Sequence, residues 1–234
     1  MNATLSVQPL LYIGGPFGTV DGITTGGAAA WDGFAWHALG NGPSGAVFGF
    51  AWWDDGAGPA LYAGGALGNY RVAKWNGVVW APLGSGVSGG VLALAGFNDG
   101  TGPALYAGGN FDSPGKNIAK WNGSEWSPLG GGIDDEGGAV LALAVFDDGS
   151  GPALYVGGEF TQVDGQPIHN IARWNGQAWS AVGNIETPHV YTLKVLDDGS
   201  RPALFAAGGD TIQKWDGQTW TRYLPQPGPV SAIE

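Results

Sequence analysis

Short apolar runs separated by glycine-rich turns recur along the whole chain. In one unit, four runs with strand character occupy residues 140–146, 153–156, 170–174 and 177–182. The first two are apolar on both alternating faces, which is typical of strands buried on both sides. The last two flank Asn175-Gly176, a strong hairpin signal. The pattern therefore predicts four consecutive antiparallel strands in each unit, A to D.

A paired-tryptophan motif marks the end of each unit and contains ten of the twelve tryptophans. Its five copies begin 44, 46, 53 and 41 residues apart. The pairs are Trp31 and Trp36, Trp75 and Trp80, Trp121 and Trp126, Trp174 and Trp179, and Trp215 and Trp220. A repeat of this length is typical of stacked units that cannot bury their faces alone. It predicts an all-β protein, a single five-bladed β-propeller over residues 1–234.

The predicted propeller has four antiparallel strands in each blade and is closed by the chain's last residues. The predicted blades are 8–40 together with 229–234, then 45–84, 90–130, 138–183 and 189–225. The chain opens directly in a B strand at Leu10–Ile13, whereas residues 229–234 match the start of an A strand. Docking the second segment beside the first would remove the exposed edges of an open array.

The turn inside the tryptophan motif determines which side chains share a face. We expect Asn122-Gly123 to form a two-residue loop that places Trp121 and Trp126 on one face and Lys120 on the other. The tryptophan pair then either fills the gap between blades or stacks on bound sugars. We favour the structural role between blades. For the basic residue we expect an acidic turn on a neighbouring unit as partner, or a cation–π contact.

Charge narrows the possible partners. The chain has 20 acidic and 9 basic residues and a net charge of −11, so phosphate backbones and anionic lipid should be repelled. We therefore expect no nucleic acid partner and no membrane insertion, and a monomer. The chain has no cysteine, which excludes disulfides and thiolate sites. Residues 1–13 lack signal-peptide features, so the compartment is unassigned from the sequence.

The string Leu154–Thr161 followed by Asn170–Gly176 resembles the repeats of kelch-like propellers. It is similar to bacterial exported kelch-like proteins and to the fungal Rax-type cell-polarity proteins, and five blades of this size resemble the tachylectin architecture. The resemblance implies a propeller fold and an extracellular or periplasmic location. Kelch-like propellers include enzymes, adhesins and scaffolds, so it does not specify a function. The copper enzymes of this group use a cysteine, which implies no such cofactor here.

The loops that differ between units are the best candidates for a binding site, because function in repeat folds usually lies on variable loops. The B–C and D–A loops should share one face of the propeller. Their candidate ligand-binding residues are Glu159, Asp164, His169, Asp134, Asp135, Glu136, Glu186 and His189. We expect a non-enzymatic module that binds a protein or glycan there, without cofactor or metal.

Three alternatives remain open from the sequence alone. A lectin would bind sugars between blades or on the varied face. A glycoside hydrolase would need two of the carboxylates as acid and base. The Asp-Asp-Gly turns could bind calcium, although they are short for a cation loop, and we interpret them as strand-terminating turns.

Overall fold

The computed structural model describes residues 10–133, 137–197, 199 and 201–225. For residues 224 and 225 it describes the backbone and not the side chains. Within these residues the chain forms antiparallel β-sheets and no helix. The described part contains no helical segment that could cross a membrane. The all-β, propeller-like prediction is therefore correct at this level.

Five main sheets and one two-stranded ribbon follow one another along the described part of the chain, with strands in sequence order within each sheet. The first sheet contains β1 (Leu11–Gly14), β4 (Ala28–Trp31) and β5 (Trp36–Ala38). The second contains β6 (Gly45–Asp54), β7 (Pro59–Leu67), β8 (Val72–Trp75) and β9 (Trp80–Pro82). A two-stranded ribbon, β2 (Thr19–Val20) and β3 (Ile23–Thr24), lies in the loop between β1 and β4.

The remaining three sheets repeat the four-stranded plan. The third contains β10 (Gly90–Asn98), β11 (Pro103–Asn110), β12 (Ile118–Trp121) and β13 (Trp126–Pro128). The fourth contains β14 (Ala139–Asp147), β15 (Pro152–Glu159), β16 (Ile171–Trp174) and β17 (Trp179–Ala181). The fifth contains β18 (Thr192–Asp197), β19 (Pro202–Gly208), β20 (Thr211–Trp215) and β21 (Trp220–Pro225).

The apolar side chains form separate layers between successive sheets. Four such layers lie in the described residues, between the first and second, second and third, third and fourth, and fourth and fifth sheets. Successive residues of one strand pack into different layers, because their side chains point to opposite faces of the sheet. Leu61 belongs to the layer between the first and second sheets, and Tyr62 belongs to the layer between the second and third sheets. This explains why the A and B strands are apolar on both faces.

A glycine in the B strand of each of the first four sheets allows the next sheet to approach. A Cβ built on Gly64 would lie 2.5 Å from Cγ1 of Val91, and one on Gly108 would lie 2.3 Å from Cγ1 of Val140. Real Cβ contacts are not this short, so the valine of the following A strand fills the space that glycine leaves. The fifth sheet has Ala207 at this position, and it is fully buried.

Within the residues that the structure describes, the first sheet begins in a B strand, as the sequence predicts, and has three strands where the next four sheets have four. Its Leu11 is 59% exposed, whereas the equivalent leucines of the other sheets are at most 2% exposed: Leu61, Leu105, Leu154 and Leu204. The predicted closing segment, 229–234, lies outside the described residues.

The two-residue hairpin predicted for the tryptophan motif is wrong. Trp121 pairs directly with Trp126 and Lys120 with Ser127, which leaves four residues in the loop. The Oδ1 atom of Asn122 accepts the backbone N–H groups of residues 124 and 125, both at 2.9 Å. The asparagine side chain thus closes a wider turn than the one expected from Asn-Gly alone.

Candidate functional site

Two loops of the fourth sheet bring three of the predicted site residues together. Glu159 ends β15, His169 lies in the loop before β16, and His189 lies in the loop before β18. They line one cavity of about 280 Å³, with Phe160, Thr161, Asn170 and Pro188 among its other walls. A carboxylate and two imidazoles therefore face a common space at the varied end of the sheets.

Asn170 joins these two loops. Its φ of 60° lies in the left-handed region, which asparagine tolerates better than most residues. Its Nδ2 donates to the carbonyl oxygen of Thr187 at 3.2 Å, and its backbone N–H donates to the carbonyl of Phe160 at 2.9 Å. The loop that carries His169 is thereby fixed against the loop that carries His189.

Within the cavity, the Glu159 and His189 side chains form a loose pair. Oε2 of Glu159 lies 3.6 Å from Nδ1 of His189, which is beyond hydrogen-bonding distance. Nδ1 of His189 is buried and has no hydrogen-bond partner in the described structure. The imidazole also packs 5.7 Å from the ring of Tyr191. The site therefore contains polar groups whose hydrogen-bonding capacity is not used within the described residues.

The other predicted site residues lie elsewhere or outside the described residues. Oδ1 of Asp164 accepts the backbone N–H of Gly131 at 2.7 Å, so this carboxylate joins a loop of the fourth sheet to the end of the third. Glu186 is exposed and does not line the cavity. Asp134, Asp135 and Glu136 lie outside the described residues. No cluster of three potential metal ligands occurs in the described part of the chain.

The acidic turns use their carboxylates internally. In the third sheet, Oδ2 of Asp99 accepts Nζ of Lys120 at 2.6 Å and the hydroxyl of Tyr106 at 2.8 Å. Burial acts to raise the pKa of Asp99, but these hydrogen bonds and those from Thr101 outweigh it and lower the pKa to about 2. The sequence correctly predicted an acidic partner for the basic residue, but that partner belongs to its own sheet.

The same arrangement recurs in the second and fourth sheets, with one difference. Asp55 accepts Nζ of Lys74 at 2.5 Å and the hydroxyl of Tyr62 at 2.8 Å. In the fourth sheet, the Nε atom of Arg173 is 3.9 Å from Asp148. The lysines also lie over the tyrosine rings, at 5.5 Å for Lys74. These contacts give the repeated Asp-Gly turns of the second, third and fourth sheets a structural role.

The tryptophan pairs make specific contacts with the preceding sheet. Nε1 of Trp80 donates to the carbonyl of Leu39 at 2.9 Å, and Nε1 of Trp126 donates to the carbonyl of Leu83 at 2.8 Å. Nε1 of Trp220 donates to the carbonyl of Val182 at 2.7 Å. Rings within one pair lie 5.1–5.5 Å apart, as in Trp121 with Trp126. In these three pairs the second tryptophan thus links neighbouring sheets, whereas Nε1 of Trp179 is buried without a hydrogen-bond partner in the described structure.

The structure also contains a larger cleft that we did not predict. It lies between the fourth and fifth sheets, at the end that carries the acidic turns, and has a volume of about 540 Å³. Its walls include Phe146, Pro202 and Trp215, with Arg201 and Asp216 at polar positions. The repeats look alike at this end, so loop variation gave no signal for it. Arg201 is the clue within the sequence, because no other acidic turn contains arginine.

A search of protein-family models finds no match to this chain. A search of curated proteins also finds no relative.

Proposed function

We propose that the protein is a non-enzymatic binding module built as a closed five-bladed β-propeller. The support for its ligand site is the convergence of Glu159, His169 and His189 around one cavity of about 280 Å³. Pockets near this size suit a small ligand or a single side chain of a partner. With a net charge of −11 and a carboxylate at the rim, the favoured ligand is a cationic group such as a lysine or arginine side chain.

The other candidate chemistry of this cavity is less well supported. Glycoside hydrolysis by the usual mechanism needs two carboxyl groups about 5–10 Å apart, one as acid and the other as base or nucleophile. Among the described residues that line the cavity, Glu159 supplies the carboxylate and its neighbours are histidines. Glu186, the other partner considered for this role, does not line the cavity. A binding role therefore uses the described groups more completely.

Titration with cationic probes tests the ligand site. Argininamide and lysinamide are titrated calorimetrically into the protein, into Glu159→Gln and into Glu186→Gln. Glu186 is on the same loop face and outside the cavity, so its substitution removes the same charge without touching the site. We expect only Glu159→Gln to abolish the heat of binding. Equal losses in both variants, or no binding by the parent protein, would contradict the proposal.

Closure of the ring is supported by the unmatched inner edge of the first sheet. β1 has no A strand beside it in the described structure, and Leu11 is exposed where its equivalents are buried. The sequence Gly228-Pro229-Val230-Ser231-Ala232-Ile233 aligns with Gly89–Leu94, which begins a described A strand. We propose that 229–234 supplies the missing strand. Burying Val230 and Ile233 would then contribute about 1.5–3 kcal/mol each.

Alternating substitutions in this segment test the closure. Val230 aligns with Val91, which is fully buried, whereas Ser231 aligns with Leu92 beside the irregularity in β10. We expect Val230→Asp to lower the melting temperature as strongly as deletion of 229–234, and Ser231→Asp to have little effect. An unchanged melt after deletion would argue against a closed ring.

Carbohydrate binding is a second candidate function, favoured by the cleft between the fourth and fifth sheets. Apolar walls that include Trp215, beside Arg201 and Asp216, suit a ligand with one apolar and one hydroxyl-rich face. A glycan array and tryptophan fluorescence on sugar addition provide the test. Arg201→Ala is the site variant, and Arg71→Ala, in the loop between β7 and β8 of the second sheet and away from the cleft, is the control. Silence across a broad array would eliminate this function.

A further inference from the structure

The five tryptophan turns share one internal scaffold. In the first, Oδ1 of Asp32 accepts the backbone N–H groups of residues 34 and 35, both at 2.8 Å. In the second, Oδ1 of Asn76 accepts those of residues 78 and 79, at 2.9 and 2.8 Å. Asn122, Asn175 and Asp216 do the same in the other three. The aspartate or asparagine side chain fixes the turn, so the residues two and three positions after it are free to vary.

The residues at those variable positions differ sharply between sheets. The third, fourth and fifth turns carry Ser124-Glu125, Gln177-Ala178 and Gln218-Thr219. The first two turns carry Phe34-Ala35 and Val78-Val79. Phe34 is 87% exposed, Val78 73% and Val79 54%. Because three turns of the same chain form without a large apolar residue at these positions, the side chains of Phe34, Val78 and Val79 are not required by the turn. Rigidly held, exposed apolar side chains are typical of binding anchors.

The two apolar turns are close enough to bind one ligand. Nε1 of Trp80, at the end of the second turn, donates to the carbonyl of Leu39 at 2.9 Å, so this turn lies against the end of the first sheet. Phe34 precedes Gly40 by six residues, and a Cβ built on Gly40 would lie 2.9 Å from the carbonyl oxygen of Val78. At about 3.3 Å per residue, the two turns are separated by at most about 20 Å.

The size and charge of this surface indicate the occupant. Three side chains cannot provide the total of about 1,200 Å² or more that a specific protein pair usually buries, so a second copy of the chain does not fit. An extended segment of roughly six residues would span 20 Å and reach both anchors. The Asp32 carboxylate at the base of the first anchor is paired with Nε2 of His37 at 2.7 Å, so the negative charge that acts on a partner is that of the chain as a whole, whose net charge is −11. A basic segment is therefore attracted, and anionic lipid is repelled.

We propose that Phe34, Val78 and Val79 form a docking surface for a short, extended, basic segment of a partner protein that carries two apolar side chains. The surface lies at the end of the sheets opposite the cavity of Glu159, and its role does not depend on that cavity. The apolar side chains provide affinity, while the acidic surroundings select basic partners and increase the association rate.

A labelled eight-residue peptide tests the proposal. The probe has two leucines five positions apart among lysines, and its comparators replace the leucines by serine or the lysines by glutamate. Binding is measured by fluorescence anisotropy to the parent protein and to Phe34→Ser/Val78→Ser/Val79→Glu, which gives the second turn the residues of the third. The control, Ser124→Gln/Glu125→Thr, gives the third turn the residues of the fifth.

We expect the triple variant to bind the probe at least about tenfold more weakly, at an unchanged melting temperature, and the control variant to bind it normally. The comparators should bind poorly to all three proteins. Equal affinity of the triple variant, or of either comparator, would overturn the proposal. Phosphatidylcholine vesicle binding or concentration-dependent dimerisation that is lost in the triple variant would also overturn it, in favour of a lipid surface or a second copy.

Discussion

Replacement of Asp99 by asparagine should destabilise the third sheet through the charge of Lys120. Asp99 is 3% exposed and Lys120 14% exposed by side chain, so removing the carboxylate leaves a partly buried ammonium without its counter-charge. The hydroxyl of Tyr106 loses the same acceptor. Removing one partner of a fully buried pair costs about 3–5 kcal/mol. The residual exposure of Lys120 places the expected cost nearer 2–3 kcal/mol.

The pKa of Asp99 gives a second route to the same magnitude. Its ordinary value of 3.8 is lowered to about 2 in the folded protein. At about 1.4 kcal/mol per pH unit, this shift corresponds to roughly 2 kcal/mol of stability at neutral pH. Because the folded-state pKa is depressed, the stabilisation is complete above about pH 5 and decreases as the pH falls toward 2. At pH 3 about half of it should remain.

Thermal unfolding followed by circular dichroism at pH 7 and pH 3 measures both effects. A loss of 2–3 kcal/mol should lower the melting temperature by about 5–10 °C for a chain of this size. The matched control is Asp148→Asn, because Arg173 Nε lies 3.9 Å from Asp148, whereas Lys120 Nζ lies 2.6 Å from Asp99. Arg173 Nη2 also has two other acceptors, Ser150 Oγ at 2.7 Å and the carbonyl of Gly151 at 3.2 Å, whereas Lys120 Nζ has the hydroxyl of Thr101 at 2.7 Å. An equal loss in both variants, or a difference for Asp99→Asn that does not shrink at pH 3, would refute the reasoning.

Three further substitutions test how the sheets stack. Trp126→Phe, which leaves the Leu83 carbonyl without its indole donor, should cost about 1–3 kcal/mol in chemical unfolding, with Trp36→Phe as the comparison. Gly108→Ala should lower the melting temperature by several degrees because its Cβ would lie 2.3 Å from Val140, and adding Val140→Ala should restore part of it. Asn170→Ala should destabilise more than Asn170→Gly, because glycine tolerates the φ of 60°; equal losses would show that the side-chain bond to Thr187, which both variants remove, outweighs the backbone strain.

The sequence by itself determined the repeating plan of this protein. Alternating and continuous apolar runs predicted the strands, and the tryptophan spacing predicted a series of four-stranded sheets, because both follow from local side-chain periodicity. The B-strand character of β1 was readable in the same way. The sequence also indicated that Trp121 and Trp126 share a face, since that depends on alternation within one hairpin.

Tertiary structure decided the contacts that depend on how sheets and loops meet. The hairpin opened to four residues because the Asn122 side chain accepts two backbone N–H groups, a choice that the dipeptide Asn-Gly does not reveal. Lys120 pairs with Asp99 of its own sheet because the A–B and C–D turns lie at the same end of the strands. His169 and His189 share a cavity only through the loop contacts of Asn170. Such contacts join residues far apart in the chain, and their distances are set by the stacking of whole sheets.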